Sequence, residues 1–181
     1  VAQHVLEDRA AVLTAAAVCP HPPLLIPAAI GAAASDPPPA LRSVRDACDL
    51  AVQALAAAEP DLIAVIGGGA ADREYDATAA GSLSEFGVAV TVGEGEPVLP
   101  LSLTIGRWLL GRAGIGARTD EPGQRPQLLL QAVDQRASAD DCLKLGAAIA
   151  ERAPRVALLA MGDASARRAR DIEGAPDPRA Q

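Results

Sequence analysis

His21 is the residue of this chain whose type and surroundings best suit chemistry. The 181-residue sequence holds two histidines, and the other, His4, lies in an N-terminal stretch outside the predicted sheet. His21 stands in the segment PHPP (20–23), directly after an apolar run, and the prolines stiffen the loop that carries it. Imidazoles bind metal ions and transfer protons near neutral pH. We therefore expect His21 to be a metal ligand or a catalytic proton carrier; the alternative is a simple hydrogen bond to a loop carbonyl.

A run of three glycines, Gly67, Gly68 and Gly69, follows the apolar segment 62–66. Backbone amides in such a run can form an anion-binding nest, so these glycines are candidate ligand-binding residues. A tight turn after a strand is the alternative. The run is not a dinucleotide fingerprint, because Asp72 stands where the pattern requires its last glycine. It is not a phosphate loop either, because no lysine follows.

Acidic side chains follow the same predicted strands. Asp72, Glu74 and Asp76 come after the glycines, and Glu94 and Glu96 come after the next apolar run. Carboxylates in these places can ligate a metal ion or exchange a proton. We take Asp76 as a candidate metal ligand, and Glu94 and Glu96 as candidate ligand-binding residues. The alternative for each is a solvated loop charge.

Hydrophobic patterns predict the elements that position these side chains. Short apolar runs without polar alternation are typical of buried parallel strands, and apolar residues at spacings of three and four predict helices. The predicted strands are 12–18, 62–66, 88–92, 128–133 and 155–161, and the predicted helices are 41–55, 100–112 and 138–152. The last helix begins at Ser138, a good N-cap, and completes a strand–helix–strand crossover. Sites in such sheets collect at the carboxyl ends of the strands.

Size and composition favour a single α/β domain with a largely parallel or mixed central sheet flanked by helices. The chain has a mass of 18.3 kDa and three aromatic residues, so its core must consist of aliphatic side chains. We expect an N-terminal extension (1–11), the α/β domain (12–163) and an exposed C-terminal tail (164–181). A Gly- and Pro-rich surface loop is expected over 113–126.

Charge and cysteine usage limit the partners and the compartment. A net charge of −7 disfavours nucleic acid as a partner. The sequence predicts no membrane-spanning segment and no signal peptide. Cys19, Cys48 and Cys142 are odd in number and widely spaced, which predicts buried thiols in a reducing, cytoplasmic setting.

Several segments resemble one known family. The segment AAAVCPHPPLLIP (15–27) resembles the opening of class III extradiol ring-cleavage dioxygenases, in particular the catalytic B-subunit-like proteins of actinobacteria. Four further segments are similar to that branch: PDLIAVIGGG (60–69), YDATAAGSLSEFGVAV (75–90), LPLSLTIGRWLLGRAG (99–114) and MGDASARR (161–168). The resemblance covers most of residues 12–179, and the first segment is its most specific part.

The resemblance implies a non-heme Fe(II) oxidoreductase that opens an aromatic ring next to a diol. In that family two histidines and a carboxylate hold the iron, a ligand set suited to oxygen chemistry, and a further histidine is the acid–base group. His21 corresponds to the first ligand. The second histidine would follow the second strand, where Gly67–69 stand, and no histidine follows His21. The expected metal centre is therefore incomplete.

These observations lead to one hypothesis and two competitors. We expect a small-molecule-binding protein of this fold with little or no dioxygenase activity, its pocket formed by His21, Gly67–69 and the loop 94–96. It would hold either one divalent metal ion, Fe(II) by resemblance, or none. One competitor is an active enzyme whose missing ligands come from a partner subunit or from Asp76. The other is a structural subunit, in a homo-oligomer or with a partner, that contributes only an interface.

Overall fold

A mixed β-sheet organises the described part of the chain. This computed structural model describes residues 11–115 and 126–163. The five sheet strands are β1 (Val12–Cys19), β2 (Leu62–Gly69), β3 (Arg73–Tyr75), β6 (Gln127–Asp134) and β7 (Arg155–Met161). Two further short strands, β4 (Gly81–Ser82) and β5 (Thr91–Val92), pair in a separate ribbon. The predicted α/β class with a mixed central sheet is confirmed.

The strand order β1-β7-β2-β6-β3 places four carboxyl ends at one edge of the sheet. Strands β1, β7, β2 and β6 run parallel to their neighbours, and β3 is antiparallel to β6. The predicted crossover is confirmed, because β6 leads through helix α3 (Ala139–Ala150) to β7 on the other side of β2. Ser138 caps α3 in a capping box with Asp141, which satisfies amides that the helix itself leaves unpaired.

The other two helices also lie where the sequence predicts them. Helix α1 (Pro39–Ala57) and helix α2 (Leu101–Arg112) pack on one face of the sheet, and α3 packs on the other. Short 3-10 turns at Pro23–Leu25 and Pro27–Ala34 occupy the proline-rich segment after β1.

Aliphatic side chains fill both layers of the core. The larger layer joins the sheet to α1 and α2 and includes Ile63, Val65, Leu130 and Leu159 from the sheet, with Val52, Leu55, Leu103 and Leu109 from the helices. The thinner layer joins the sheet to α3 and is built from Leu62, Ala64, Leu129, Val156 and Ile149. The core is therefore aliphatic, as the composition predicts.

Strand β1 lies at the sheet edge, so the prediction that it is buried is wrong. Within the described residues it pairs only with β7. Val12, Leu13 and Val18 are consequently 54%, 58% and 74% exposed. An apolar run without polar alternation is typical of an interior strand, but it does not fix the strand order.

Two further local predictions need correction. Only Thr91–Val92 of the predicted strand 88–92 is extended, because Val88 packs into the core from a hairpin that turns at Gly87, a residue with φ of 72°. The apolar residues of the segment 138–152 also predict Leu143 as an inner position of α3, but Leu143 is 72% exposed. The side chains that pack on the sheet are instead Leu145 and Ile149, which are four residues apart.

The three cysteines divide into a buried pair and an exposed thiol. All three are free, Cys19 and Cys48 are buried, and Cys142 is exposed. The expectation of a buried thiol is therefore wrong for Cys142. Burial raises the pKa of the Cys19 thiol to about 12 and also raises the pKa of Cys48. Both buried thiols are protonated at neutral pH and lack the thiolate form that reacts.

We expect a thiol reagent such as dithionitrobenzoate to modify one cysteine in the native protein and all three after unfolding in urea. The exposed Cys142 is the residue that reacts under native conditions, because the other two are buried and protonated. The absorbance of the released thionitrobenzoate counts the modified thiols. A Cys142→Ser variant that still reacts rapidly in its native state would contradict this assignment.

Several predictions fall outside the described residues. They are the N-terminal extension apart from Ala11, positions 116–125 of the predicted loop, and the tail 164–181.

Among the helices that the structure describes, none combines the length and the apolar character needed to cross a bilayer.

Candidate functional site

A cleft opens at the carboxyl edge of the sheet. Its volume is about 810 Å³, and four segments line it: His21 after β1, residues 68–70 at the end of β2, residues 100–102 at the start of α2, and residues 134–136 after β6. This is the edge at which ligands bind in open α/β sheets. The cleft brings together His21, Gly68 and Gly69 of the predicted site.

The glycines continue strand β2, so the prediction of a turn after residue 66 is wrong. All three pair in register with β6, from Gly67 opposite Ala132 to Gly69 opposite Asp134. Their φ angles are not positive. An anion-binding nest requires turn-like backbone, so these three glycines do not form one. The physical reason for glycine here is the close approach of a helix rather than a turn.

Helix α2 rests directly on the glycine segment. A Cβ atom at Gly67 would lie 2.5 Å from both Cβ and Oγ of Ser102. The Ser102 hydroxyl donates a 2.8 Å hydrogen bond to the Gly68 carbonyl, which ties the first turn of α2 to the end of β2. The missing side chain at Gly67 therefore allows the start of α2 to form one wall of the cleft.

The N-terminus of α2 contributes a positive potential to that wall. The helix has twelve residues, and its N-cap is Pro100, whose side chain has no group that accepts a hydrogen bond. The first amides of a helix have no intrahelical partner and carry the positive end of its dipole. Since residues 100–102 line the cleft, this end of α2 favours an anionic group there.

His21 is held at the cleft by Asp163, which follows β7. The backbone N–H of His21 donates a 2.9 Å hydrogen bond to Oδ1 of Asp163, and the imidazole Nδ1 lies 3.6 Å from the same oxygen. That second distance is too long for a hydrogen bond. Nδ1 is buried and has no hydrogen-bond partner among the described residues. Nδ1 therefore lies beside Asp163 and does not bond to a loop carbonyl, unlike the alternative that the sequence left open.

Arg136 is a cleft residue that the sequence analysis missed. Its backbone N–H donates a 2.7 Å hydrogen bond to Oδ1 of Asp134, and the N–H of Asp134 donates one of the same length to Oδ1 of Asp72. These bonds fix the turn after β6 from which Arg136 reaches the cleft. The available signal was its position three residues beyond the carboxyl end of the predicted strand 128–133.

The predicted carboxylates have other partners. Asp76 accepts hydrogen bonds from the backbone and the hydroxyl of Thr78, which lower the pKa of its carboxyl group. Glu94 lies near Arg107, whose guanidinium donates to a backbone carbonyl. None of Asp76, Glu94 and Glu96 lines the cleft with His21. The structure does not bring these three residues to the histidine.

Glu74 is also engaged outside the cleft. Both of its carboxylate oxygens accept hydrogen bonds from Arg152, at 2.9 and 3.0 Å. Asp72 accepts the Asp134 amide and thereby supports the cleft wall without lining it. Glu74 and Asp72 therefore have structural roles as loop charges, and neither lines the cleft.

The described residues do not fit the iron centre that the family resemblance implies. An Fe(II) facial centre needs two histidines and a carboxylate that converge on open coordination positions. In the segments 11–115 and 126–163, no group of three or more histidine, cysteine or acidic side chains is placed to hold a metal ion. His21 has one acidic neighbour, Asp163, and Asp76 is not beside it.

Comparison with known proteins identifies no family. No protein-family model matches the chain, and no curated protein matches it at a significant level. The resemblance to extradiol dioxygenases stays a prediction from the sequence.

Proposed function

We propose that this protein binds a small organic anion, such as a carboxylate, in the cleft at the carboxyl edge of its sheet. The protein would be similar to the extradiol dioxygenase B subunit. It would have little or no ring-cleaving activity. One observation carries it: His21, Arg136 and the N-terminus of α2 line the same cleft. Each of these groups favours negative charge or donates hydrogen bonds to it.

The roles of the cleft groups differ. The guanidinium of Arg136 can hold a carboxylate through two parallel hydrogen bonds. The first amides of α2 donate to the same anion or to a second acceptor on it. The imidazole of His21, which lines the cleft, can donate a hydrogen bond to the anion from a ring nitrogen that carries a proton. The Asp134 carboxylate opposes the anion, but one of its oxygens already accepts the Arg136 amide.

Ring cleavage is disfavoured by the donor set. The described residues that line the cleft offer one imidazole, and iron-dependent cleavage in the family that the chain resembles needs a second histidine ligand and a further acid–base histidine. The whole sequence has three aromatic residues, and none of them lines the cleft to stack on a catechol.

A second candidate function is that of a structural subunit. The exposed apolar side chains on β1, namely Val12, Leu13 and Val18, favour it because edge strands of soluble proteins usually carry charges that prevent pairing. Size-exclusion chromatography with light scattering tests this candidate. A monomer over the micromolar range would contradict self-assembly through this edge.

Titration with benzoate, followed by amide NMR, tests the proposed function. We expect saturable shifts at residues 68–70, 101–103 and 134–136, and no saturable shifts with benzyl alcohol, which has the same ring without the charge. Shifts that are absent, or that are equal for the two compounds, would overturn the anion-binding proposal.

A further inference from the structure

A second, separate cavity lies between β1 and α1. Its volume is about 360 Å³, and its walls include Val18, Pro20, Val44 and Ala47 together with the thiols of Cys19 and Cys48. None of these residues lines the His21 cleft. The proposed anion site therefore makes no use of the two cysteines.

The two thiols converge on one point although they are distant in sequence. Cys19 ends β1 and is 1% exposed, and Cys48 lies in α1 and is 2% exposed. Both residues line the same cavity, and the Cys48 side chain is one of the causes that raise the pKa of Cys19, so the two thiols lie within interaction range of each other. Both residues border this cavity, which is open to solvent.

The geometry points to a binding site for a soft monovalent metal ion, and we propose Cu(I). Paired thiol ligands with no oxygen or nitrogen ligand of comparable strength select soft ions. Cu(I) is stable with two sulfur ligands in a linear arrangement. The remaining lining residues are apolar apart from Ser43, whose hydroxyl donates to the Pro39 carbonyl, so they supply no competing ligand.

Other ions fit this donor set less well. Structural zinc requires four ligands, and the cavity offers two thiols without histidine, aspartate or glutamate. Fe(II), Mg²⁺ and Ca²⁺ prefer oxygen or nitrogen ligands. The near-complete burial of both cysteines also favours a bare ion over a bulky disulfide reagent.

Binding would release the two thiol protons to solvent and form two Cu–S bonds, with no change in oxidation state. The resulting bis-thiolate centre carries one net negative charge. Arg45 lies three residues before Cys48 on the same side of α1 and donates to the Leu24 and Leu25 carbonyls nearby. The adjacent Asp49 carboxylate is neutralised by Arg112, with an N–O distance of 2.6 Å.

Anaerobic titration with Cu(I), added as its acetonitrile complex and competed by a chromogenic Cu(I) chelator, tests this site. We expect one tightly held ion per chain and an X-ray absorption spectrum with two sulfur neighbours. Cys19→Ser and Cys48→Ser should each lower the affinity by more than about 100-fold, since they remove a ligand rather than a group that only orients one. Cys142→Ser is the matched control and should leave the affinity unchanged.

Three results would overturn the proposal. The first is an affinity of the wild-type protein no higher than that of the Cys19→Ser/Cys48→Ser double variant. The second is loss of binding in Cys142→Ser. The third is loss of binding in His21→Ala with full retention in Cys48→Ser, which would move the ion to the cleft. Circular dichroism of each variant verifies that it folds.

Discussion

Arg136→Gln is expected to weaken the binding of benzoate about 10- to 100-fold, because hydrogen bonds to charged groups contribute roughly 1.5–3 kcal/mol. Glutamine retains a polar side chain of similar length but loses the charge and the paired donors. The turn that positions residue 136 should survive, since it uses the backbone N–H rather than the side chain. Isothermal titration calorimetry at low ionic strength measures the change.

Arg152→Gln is the matched control for this experiment. Arg152 is also an arginine outside the core, but it pairs with Glu74 and does not line the cleft. Its removal should change the benzoate affinity less than about twofold, because an exposed ion pair contributes at most about 1 kcal/mol even to the stability of its own region. Equal affinities for the wild-type protein and Arg136→Gln would contradict the role of Arg136.

Gly67→Ala is expected to lower the free energy of unfolding by about 1–3 kcal/mol, the usual cost of overpacking. The new Cβ would lie 2.5 Å from the Cβ of Ser102, an atom fixed by the helix backbone, so rotation of the serine side chain does not relieve the clash. Either β2 or α2 must shift. Urea denaturation followed by circular dichroism measures the loss.

Gly68→Ala, one residue further along the same strand, provides the comparison. The nearest atom to its added Cβ is Cγ of Gln135 at 3.9 Å, an ordinary contact. We expect its stability to remain within about 0.5 kcal/mol of the wild-type value. Ser102→Gly removes the clashing atoms, so Gly67→Ala should cost much less in that background. A Gly67→Ala protein as stable as Gly68→Ala would show that α2 does not rest on β2 as described.

The parts of the fold that depend on local pattern could be predicted from the sequence. Apolar runs located β2, β6 and β7, and the capping residue Ser138 located the start of α3. The crossover from β6 to β7 followed from the length of that helical segment. These features depend on residues that are close together in the sequence, so one sequence is enough to reveal them.

The parts that depend on distant neighbours could not be predicted. The edge position of β1 follows from the strand order, and the apolar residues of β1 do not distinguish an edge strand from an interior one. The glycines at 67–69 are explained by the approach of Ser102, which lies far away in sequence. Asp163 meets His21 across 142 positions. Arg136 joins the cleft only because β6 and β1 end at the same edge of the sheet.

Iron retention distinguishes most directly between an anion site and an iron centre at the His21 cleft. Protein loaded anaerobically with Fe(II), desalted and assayed for metal should hold far less than one iron per chain. The content should be the same in His21→Ala, and addition of catechol and oxygen should give no ring-opened product. One iron per chain in the wild-type protein, lost in His21→Ala and accompanied by catechol cleavage, would contradict the account.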